Sequence, residues 1–390
     1  RNQIPYQWMD IDHSDEAKKL VQITGEAHPA LPIVFFSDGI WLSDPVISAL
    51  AEKIGLKTRA QLPFYDMVIV GAGPAGLAAA VYGGSEGLKT VIIERQAPGG
   101  QAGTSSKIEN YLGFHQGISG ADLTKRAVLQ AQRFGVEIIS PQEVVNVELD
   151  GQYRIVHLSD GSKLTCHVLF IATGVSYRKL DVPGMEQLTG AGVYYGAAMT
   201  EGALLRGENV YIVGGANSAG QAAMYFSHYA RDVYMLVRGG GLSESMSQYL
   251  IDQIGATPNV HVLSFTQVIE VHGGEHLESI TICSSETGAV QNVPTSALFI
   301  FIGALPLTDW LEGMVERDDK GYILSGLELV REGKRPKGWT LDRDPYLLET
   351  SVPGIFVAGD VRYRSVKRVA SAVGEGAMAV QFVHQYLGGL

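Results

Sequence analysis

The stretch from residue 65 to residue 95, YDMVIVGAGPAGLAAAVYGGSEGLKTVIIER, constrains the fold of this chain more than any other. The short β-branched run Met67–Val70 predicts a buried parallel strand, and Leu77–Tyr82 predicts the helix that follows it. Glycines lie between them in Gly-x-Gly-x-x-Gly spacing, and the turn consists of Gly71, Gly73, Pro74, Ala75 and Gly76. The pattern predicts a strand–turn–helix unit of a parallel α/β sheet.

This turn has the features of a dinucleotide site. The first glycine permits a tight turn, the second lets a pyrophosphate approach the backbone, and the third lets the helix lie close to the sheet. The helix N-terminus then offers free N–H groups and partial positive charge to the diphosphate. A second predicted strand, Thr90–Ile93, ends at Glu94 and Arg95, where a carboxylate accepts hydrogen bonds from an adenosine ribose. We predict dinucleotide binding, the alternative being a purely structural turn.

Composition limits the remaining possibilities. A chain of 390 residues suggests two or three domains, and 47 glycines suit a protein with many tight turns. The net charge of −11 argues against a nucleic-acid partner or an anionic membrane surface. No apolar run reaches the ~18 residues of a membrane span. Cys166 and Cys283 form no C-x-x-C, and the ten histidines show no metal-ligand spacing. We expect a cytoplasmic enzyme that binds no metal, nucleic acid or membrane.

Residues 1–57 have the pattern of a small separate α/β domain, followed by a linker over residues 58–64. The predicted elements are a strand over Ile4–Asp12, a helix over Asp15–Thr24, a strand over Ala30–Phe36 and a helix over Pro45–Leu56. This order resembles the second half of a glutaredoxin or thioredoxin-like domain, with Leu31–Pro32 at the place of that fold's cis-proline. The half that carries C-x-x-C is missing, so we hypothesise further residues upstream. A redox arm and a cap without redox function both remain open.

Several motifs after the first turn resemble the thioredoxin reductase family of FAD enzymes. In chain order they are Gly99-Gly100-Gln101, Ile108-Glu109-Asn110-Tyr111, Gly117-Ile118-Ser119-Gly120, Ala172-Thr173-Gly174, Val182-Pro183-Gly184, Thr350–Phe356, Gly359-Asp360-Val361 and Gly374-Glu375-Gly376. The resemblance covers about residues 64–390. It implies a homodimer with FAD on the first glycine turn.

The resemblance also implies which residues contact FAD. Beyond the turn and strand-end residues, Asp360 is placed for the ribityl chain. A helix beginning near Lys367–Val369 directs N–H groups at the flavin pyrimidine edge. The remaining predicted FAD residues are Gly100, Gln101, Asn110, Ala172, Thr173, Gly174, Gly359, Arg368, Val369 and Ala370.

The first unit has an internal repeat. Residues Glu208–Arg238 align without gaps on Tyr65–Arg95. In the family, a second Rossmann domain inserted in the first binds NAD(P)H, here over about residues 180–302. The predicted NADPH residues are Gly214, Gly215, Asn217, Ser218, Ala219 and Arg238.

This second turn departs from the family pattern. Ala216 replaces the glycine that permits close pyrophosphate approach, and no acid ends the second strand. Arg238 is placed to meet the 2′-phosphate of NADPH. The family carries a second arginine next to it and a third a few residues on, where this chain has Gly239 and Ser243. A functional NADPH site and a degraded one both remain open.

The family's redox dithiol is also absent from its expected place. Gly196, Ala197, Ala198 and Met199 occupy the positions where the family has its C-x-x-C. Neither a methyl group nor a thioether can form a dithiol. Residues 1–390 therefore cannot perform ordinary thioredoxin reductase chemistry by themselves, and we predict no catalytic side chain in that segment.

These observations predict an α/β fold with two Rossmann-like three-layer domains and a small thioredoxin-like N-terminal segment. The expected divisions are FAD-binding residues 65–179 and 303–390, with the NAD(P)H-binding domain at 180–302. The predicted function is an FAD-dependent oxidoreductase that takes hydride from NADPH. Its acceptor lies outside the inserted domain and is a redox protein or an N-terminal dithiol. The alternative is a flavin-bearing sensor or scaffold.

The basic stretch Arg331–Pro345 is expected to be an exposed loop, with docking of an acidic partner as a second possibility.

Overall fold

A computed structural model describes residues 6–25, 29–105, 108, 110–196 and 205–390. The α-helices within these residues are α1 (Asp15–Ile23), α2 (Ile47–Lys53), α3 (Pro74–Ser85), α4 (Gly120–Arg133), α5 (Met185–Leu188), α6 (Asn217–Phe226), α7 (Gln248–Ala256) and α8 (Val369–Leu387). The strands are β1 (Ile33–Phe35), β2 (Trp41–Ser43), β3 (Phe64–Val70), β4 (Thr90–Ile93), β5 (Glu137–Ile139), β6 (Val144–Asp150), β7 (Tyr153–Leu158), β8 (Lys163–Ile171), β9 (Val175–Tyr177), β10 (Val193–Tyr195), β11 (Asn209–Val213), β12 (Asp232–Leu236), β13 (Val260–Leu263), β14 (Thr266–Gly273), β15 (Leu277–Ser284), β16 (Val290–Pro294), β17 (Ala297–Ile300), β18 (Ala304–Pro306) and β19 (Ile355–Val357).

The chain forms two units, and each is described by itself. The first comprises Arg1–Gly103, Ala121–Gly174 and Thr308–Leu390. The second comprises Thr104–Gly120 and Val175–Leu307. Residues 104–120 group with the second unit, whereas the sequence analysis assigns them to the FAD-binding part. The predicted domain boundaries stay a prediction.

The first unit is built on a seven-stranded sheet. Its parallel part has the order β5-β4-β3-β8-β19, and the hairpin β6–β7 extends it by pairing with the first half of β8. Strands β3 and β4 are buried over almost their whole length, which is what a parallel sheet covered on both faces requires. Helices α3 and α8 pack against one face in a core with Phe170 and Phe356. The ends of β3, β8 and β19 therefore lie at one edge of the sheet.

The second unit repeats this arrangement on a smaller scale. Its five-stranded parallel sheet has the order β10-β17-β11-β12-β13, and a three-stranded antiparallel sheet β14-β15-β16 accompanies it. Strand β11, helix α6 and strand β12 correspond to β3, α3 and β4 in the register of the sequence repeat. In both sheets the strand before the glycine turn lies in the centre. This agreement confirms the Rossmann-type α/β fold class.

The N-terminal segment agrees only in part with the thioredoxin-like prediction. The predicted strand over Ile4–Asp12 is wrong for its described part, since residues 6–10 form no strand and residues 11–13 form a turn. The run has the composition of a strand, but no described strand pairs with it, and β1 pairs only with β2. The helix predicted over Asp15–Thr24 is confirmed as α1, and the strand predicted over Ala30–Phe36 is reduced to β1. The Leu31–Pro32 peptide bond is cis, as expected.

No helix in the described part of the chain combines the length and the apolar character needed to cross a bilayer.

Candidate functional site

The first glycine turn joins β3 to α3. Gly71 has φ +103°, and a side chain there would collide with the carbonyl oxygen of Ala172. A side chain at Gly76 would collide with the carbonyl oxygen of Gly71, so the helix starts close to the strand. Gly73 differs from both, because its Cβ position has no atom within 4 Å. The fold therefore requires glycine at positions 71 and 76, whereas the space beside Gly73 is open to a ligand.

The N-terminus of α3 faces this open space. Gly73 is the N-cap residue and Pro74 begins the helix, with no side chain bonded to the free N–H groups. Gly100 adjoins the same turn, since its Cβ position is 3.2 Å from the Cα atom of Gly73. Free N–H groups at a helix N-terminus form an anion site, and a diphosphate is the ligand such a glycine turn suits. Ala75 is buried on α3.

Glu94 lies at the end of β4 beside the turn. One carboxylate oxygen, Oε2, accepts a hydrogen bond from the Ala72 N–H at 2.8 Å. The other, Oε1, accepts one from the Gln96 N–H at 2.9 Å. A carboxylate has about four lone-pair positions, so acceptor capacity remains for ribose hydroxyl groups. Arg95 next to it is exposed.

Thr173 places a buried hydroxyl group at this edge of the sheet. Its residue run Ala172-Thr173-Gly174 follows β8, next to the turn that follows β3. The Thr173 hydroxyl oxygen is buried and makes no hydrogen bond within the described chain. A buried hydroxyl without a partner costs about 1–3 kcal/mol, and most such groups in proteins are satisfied. A polar ligand atom at this edge of the sheet would satisfy it.

Asp360 lies at the fourth of these strand ends, after β19. Burial raises the pKa of its carboxyl, the nearby Lys367 ammonium lowers it in part, and the Glu375 carboxylate raises it. The Lys367 ammonium donates to the backbone carbonyl of Asp360 at 2.5 Å and to Ser365 Oγ at 2.9 Å. Burial in turn lowers the pKa of Lys367, while Asp360 and Glu375 oppose this and Arg362 adds to it. The result is a partly buried charged group at the same sheet edge as Thr173.

The turn that carries Asp360 is fixed by a residue to which the sequence analysis gave no role. Glu375 accepts a hydrogen bond from the Gly359 N–H at 2.8 Å and pairs with Arg362 at 2.6 Å. Glu375 lies on α8, which begins at Val369 and has Arg368 as its N-cap residue. The Gly-Glu-Gly motif was the available signal, but its spacing from Gly359 gives no indication of this contact.

The other predicted FAD residues lie in different surroundings. Gln101 belongs to the first unit and Asn110 to the second, and both are exposed. Ala370 is exposed on the first turn of α8. The structure thus brings together the residues that follow β3, β4, β8 and β19. The roles of Gln101, Asn110 and Ala370 stay predictions.

The second glycine turn joins β11 to α6 in the other unit. Ala216 is the N-cap residue with φ −99° and ψ 176°, which matches the extended conformation of Gly73. The backbone therefore follows the same path, and Ala216 adds a methyl group on the side that is open at Gly73. Gly214 and Gly215 are half-buried, Ser218 is exposed, and Ala219 is buried on α6.

Two serines that the sequence analysis missed contact this turn. The Ser245 hydroxyl donates to the carbonyl oxygen of Gly215 at 3.0 Å. Asn217 accepts from the Ser247 N–H at 2.8 Å and donates to the Ser247 hydroxyl at 3.1 Å. Arg238 is exposed and makes no ion pair with a described residue. The run of small polar residues after Arg238 was the only available signal.

The segment where the sequence analysis expects the family's dithiol is described only at its start. Gly196 follows β10, and its N–H donates to the Ile300 carbonyl at 3.0 Å. Ala197, Ala198 and Met199 lie outside the described residues. Both cysteines of the sequence are described and unpaired. Burial raises the pKa of Cys166 to about 12, so its thiol is neutral and inert near neutral pH. No group of acids, histidines and cysteines suited to a metal occurs among the described residues.

Known proteins share this arrangement. The family model for pyridine nucleotide-disulphide oxidoreductases matches residues 65–376. The chain is 34% identical over 328 residues to the thioredoxin reductase of Bacillus subtilis, a match covering 83% of this chain and 95% of the relative. It is 33% identical over 349 residues to NADPH-dependent thioredoxin reductase 3 of Arabidopsis thaliana, covering 87% and 62%. The solved thioredoxin reductase of Streptococcus pyogenes matches with a TM-score of 0.74 and 33% identity, covering 84% of this chain and 99% of that one.

The chain therefore belongs to the pyridine nucleotide-disulphide oxidoreductase family, a class of two-nucleotide enzymes. Within that family its relatives are thioredoxin reductases, so the resemblance stated from the motifs is confirmed. The structure of the Giardia duodenalis enzyme agrees, with a TM-score of 0.73, 25% identity and coverage of 84% of this chain and 100% of that one. Thioredoxin reductases use FAD and NADPH and are typically dimers.

Proposed function

We propose that this chain is an FAD-dependent oxidoreductase that takes hydride from NADPH and passes the electrons to an acceptor outside its second unit. The proposal rests on one observation: the chain has the fold of thioredoxin reductases, but its sequence contains only two cysteines, far apart. The only cysteines are Cys166, which is buried and inert, and Cys283, which is half-buried and unpaired. The family's dithiol has no counterpart among them.

FAD binding to the first unit is supported by groups that need a ligand. The open space beside Gly73 and the uncapped start of α3 suit the diphosphate. Glu94 has lone pairs left for the ribose, and the orphaned Thr173 hydroxyl requires a polar partner. A nucleotide with an extended sugar chain satisfies these groups together. The residues present thus fit the flavin dinucleotide.

The chemistry divides between cofactor and protein. A bound flavin supplies the two-electron chemistry and needs no acid or base from the protein. The N-terminus of α8 at Val369 contributes N–H groups and the positive end of a helix dipole, which stabilise negative charge nearby. Glu375 fixes the Gly359 turn and with it the position of Asp360. These residues orient and stabilise, and none of them has to transfer a proton.

NADPH is assigned to the second unit on the strength of the repeated turn. Arg238 is exposed at the end of β12 and is placed to meet a 2′-phosphate. The Ala216 methyl group favours a second candidate, a flavin-bearing sensor or scaffold with a degraded nicotinamide site. Both candidates share FAD and differ in whether the nucleotide reduces it.

The acceptor is proposed to be a redox protein or a dithiol on an N-terminal thioredoxin-like domain. The α1–β1–β2–α2 order supports a thioredoxin-like relation for residues 6–25 and 29–57. We also propose a homodimer, because thioredoxin reductases are typically dimers.

Anaerobic stopped-flow absorbance tests the function directly. The purified protein with bound FAD is mixed with NADPH, then separately with NADH, and the flavin band near its visible maximum is followed. Rapid bleaching by NADPH is expected, followed by recovery when a competent acceptor is added. Absence of bleaching by either nucleotide over minutes would reject hydride transfer and favour the sensor or scaffold.

A further inference from the structure

The loop after β12 folds back onto the second glycine turn. Ser245 bonds to Gly215, and Ser247 exchanges two hydrogen bonds with Asn217. Leu242 and Met246 are buried in the core beside α6. Two kinds of contact therefore fix this loop: the burial of its apolar side chains and its hydrogen bonds to the second glycine turn.

Glu244 lies between these anchors, and its carboxylate is directed to the end of β12. The Cβ position of Gly239 is 3.5 Å from Glu244 Oε2 and 4.0 Å from Oε1. Gly239 immediately follows Arg238. The Glu244 carboxylate thus lies beside the residue that follows Arg238 at the end of β12.

The end of this strand is where a dinucleotide fold distinguishes the two nicotinamide cofactors. A carboxylate there accepts hydrogen bonds from the ribose 2′-hydroxyl and repels a 2′-phosphate, whereas an arginine attracts the phosphate. This chain has one residue of each kind at the same place, and glycine where the family has its second arginine.

We propose that Glu244 is a specificity-determining residue of the second nucleotide site. It opposes Arg238, so that the protein discriminates only weakly between a 2′-phosphate and a 2′-hydroxyl, and NADH is accepted beside NADPH. This inference rests on nucleotide binding to the second unit, as in the proposed function. It adds that the carboxylate, and not Arg238 alone, sets the preference.

Binding of nucleotide fragments tests the proposal without any hydride transfer. The affinities of 2′,5′-ADP and 5′-AMP are measured by calorimetry on the FAD-loaded protein, on Glu244→Gln, on Arg238→Gln and on the control Glu286→Gln. Glu286 is an exposed acid in the turn between β15 and β16 of the same unit. Charged hydrogen bonds justify an expected change of about tenfold. Glu244→Gln should raise the preference for 2′,5′-ADP by about that factor, Arg238→Gln should lower it, and the control should leave it unchanged.

A gain-of-preference variant makes the test independent of loss of folding. Gly239 has no positive φ, and its Cβ position is 3.5 Å or more from the Glu244 carboxylate, so the backbone of Gly239→Arg can carry a side chain. Combined with Glu244→Ala, it should raise the preference for 2′,5′-ADP further than Glu244→Ala alone.

The outcomes separate this proposal from the proposed function. An unchanged preference in Glu244→Gln, or no binding of either fragment to any variant, would overturn the role of Glu244. Fragment binding with the expected preferences, but without flavin bleaching by NADPH or NADH, would support Glu244 and reject hydride transfer.

Discussion

Gly73 and Ala216 occupy equivalent places in the two units with the same extended backbone, and they differ by one methyl group. Gly71, two residues before Gly73, is required by the fold, because a side chain there would collide with Ala172. Within one motif, then, the backbone requires one glycine, and we expect the other to leave space for the ligand. The Gly-x-Gly-x-x-Gly spacing predicts these two roles by position, and the crowding at Gly71 and the open space at Gly73 agree with it.

The two glycines should respond differently to the same substitution. Gly71→Ala should lower the free energy of unfolding by about 2 kcal/mol or more, since it combines a positive φ with a collision. Gly73→Ala should leave the stability of the FAD-free chain nearly unchanged and weaken FAD binding by about tenfold, because the methyl group fills ligand space. Thermal denaturation and FAD titration measure the two effects. Equal FAD affinity in Gly73→Ala and the parent protein would contradict the assignment.

The ionised Asp360 carboxylate is expected to lower the stability of the FAD-free chain and to strengthen the binding of FAD. Its raised pKa means that the folded chain binds the proton more tightly than the unfolded chain, so stability falls as the pH rises from the ordinary value of 3.8 through the raised one. At pH 7 the ionised carboxylate therefore costs stability, and Asp360→Asn should raise the Tm of the FAD-free chain. This gain should shrink as the pH falls toward 3.8.

The same variant should have the opposite effect on the FAD-loaded protein. Loss of a charged acceptor should weaken FAD binding by about tenfold and so reduce the stabilisation by saturating FAD. Differential scanning calorimetry with and without FAD gives both signs. A lower Tm of Asp360→Asn in the FAD-free state at pH 7 would contradict the argument.

At the scale of elements, the loop Arg331–Pro345 is held to the rest of the first unit by contacts of one of its arginines. Arg343 makes two hydrogen bonds to the fully buried Glu349, at 2.6 and 3.0 Å, and its guanidinium lies 3.8 Å from the centre of the Tyr346 ring. Glu349 also accepts hydrogen bonds from the N–H groups of Tyr346 and Gly354. The loop is thereby fixed to the segment that leads into β19.

Removing this arginine should be costly. Arg343→Met leaves the buried Glu349 charge without its cation and should lower the free energy of unfolding by about 3 kcal/mol. Arg335 supplies the matched control, because it pairs with two exposed acids in the same loop. Arg335→Met should change stability little. Urea denaturation compares the two variants, and equal midpoints would show that the Arg343–Glu349 pair contributes no more than a surface pair.

The elements also show what could be predicted. Thr90–Ile93 is a strand with the predicted bounds, because a buried β-branched run between turns has few alternatives. Strand β3 extends the predicted run Met67–Val70 back to Phe64. Residues 6–12 contain two acids and one β-branched residue, and no strand in the described part of the chain pairs with them, so the strand prediction fails there. The contacts of Glu375 and of the loop with Glu244 depend on tertiary packing, so local patterns could not indicate them.

At the scale of the whole molecule, the internal repeat was the most informative prediction. In each unit the central strand of a parallel sheet leads into a glycine turn. The gap-free alignment of Tyr65–Arg95 with Glu208–Arg238 predicts this repeat. Family membership follows from the same regions. We expect this chain to differ from its family in a few side chains, at Ala216, Gly239 and the positions 196–199.

An anaerobic reductive titration tests the central claim most directly. The FAD-loaded chain is titrated with NADPH, and with dithionite as a reference, while the electrons taken up per flavin are counted from absorbance. Because FAD accepts two electrons and a dithiol–disulfide couple would accept two more, the account predicts an end point of about two electrons per FAD. An end point of about four would reveal a redox dithiol in this chain and contradict the account.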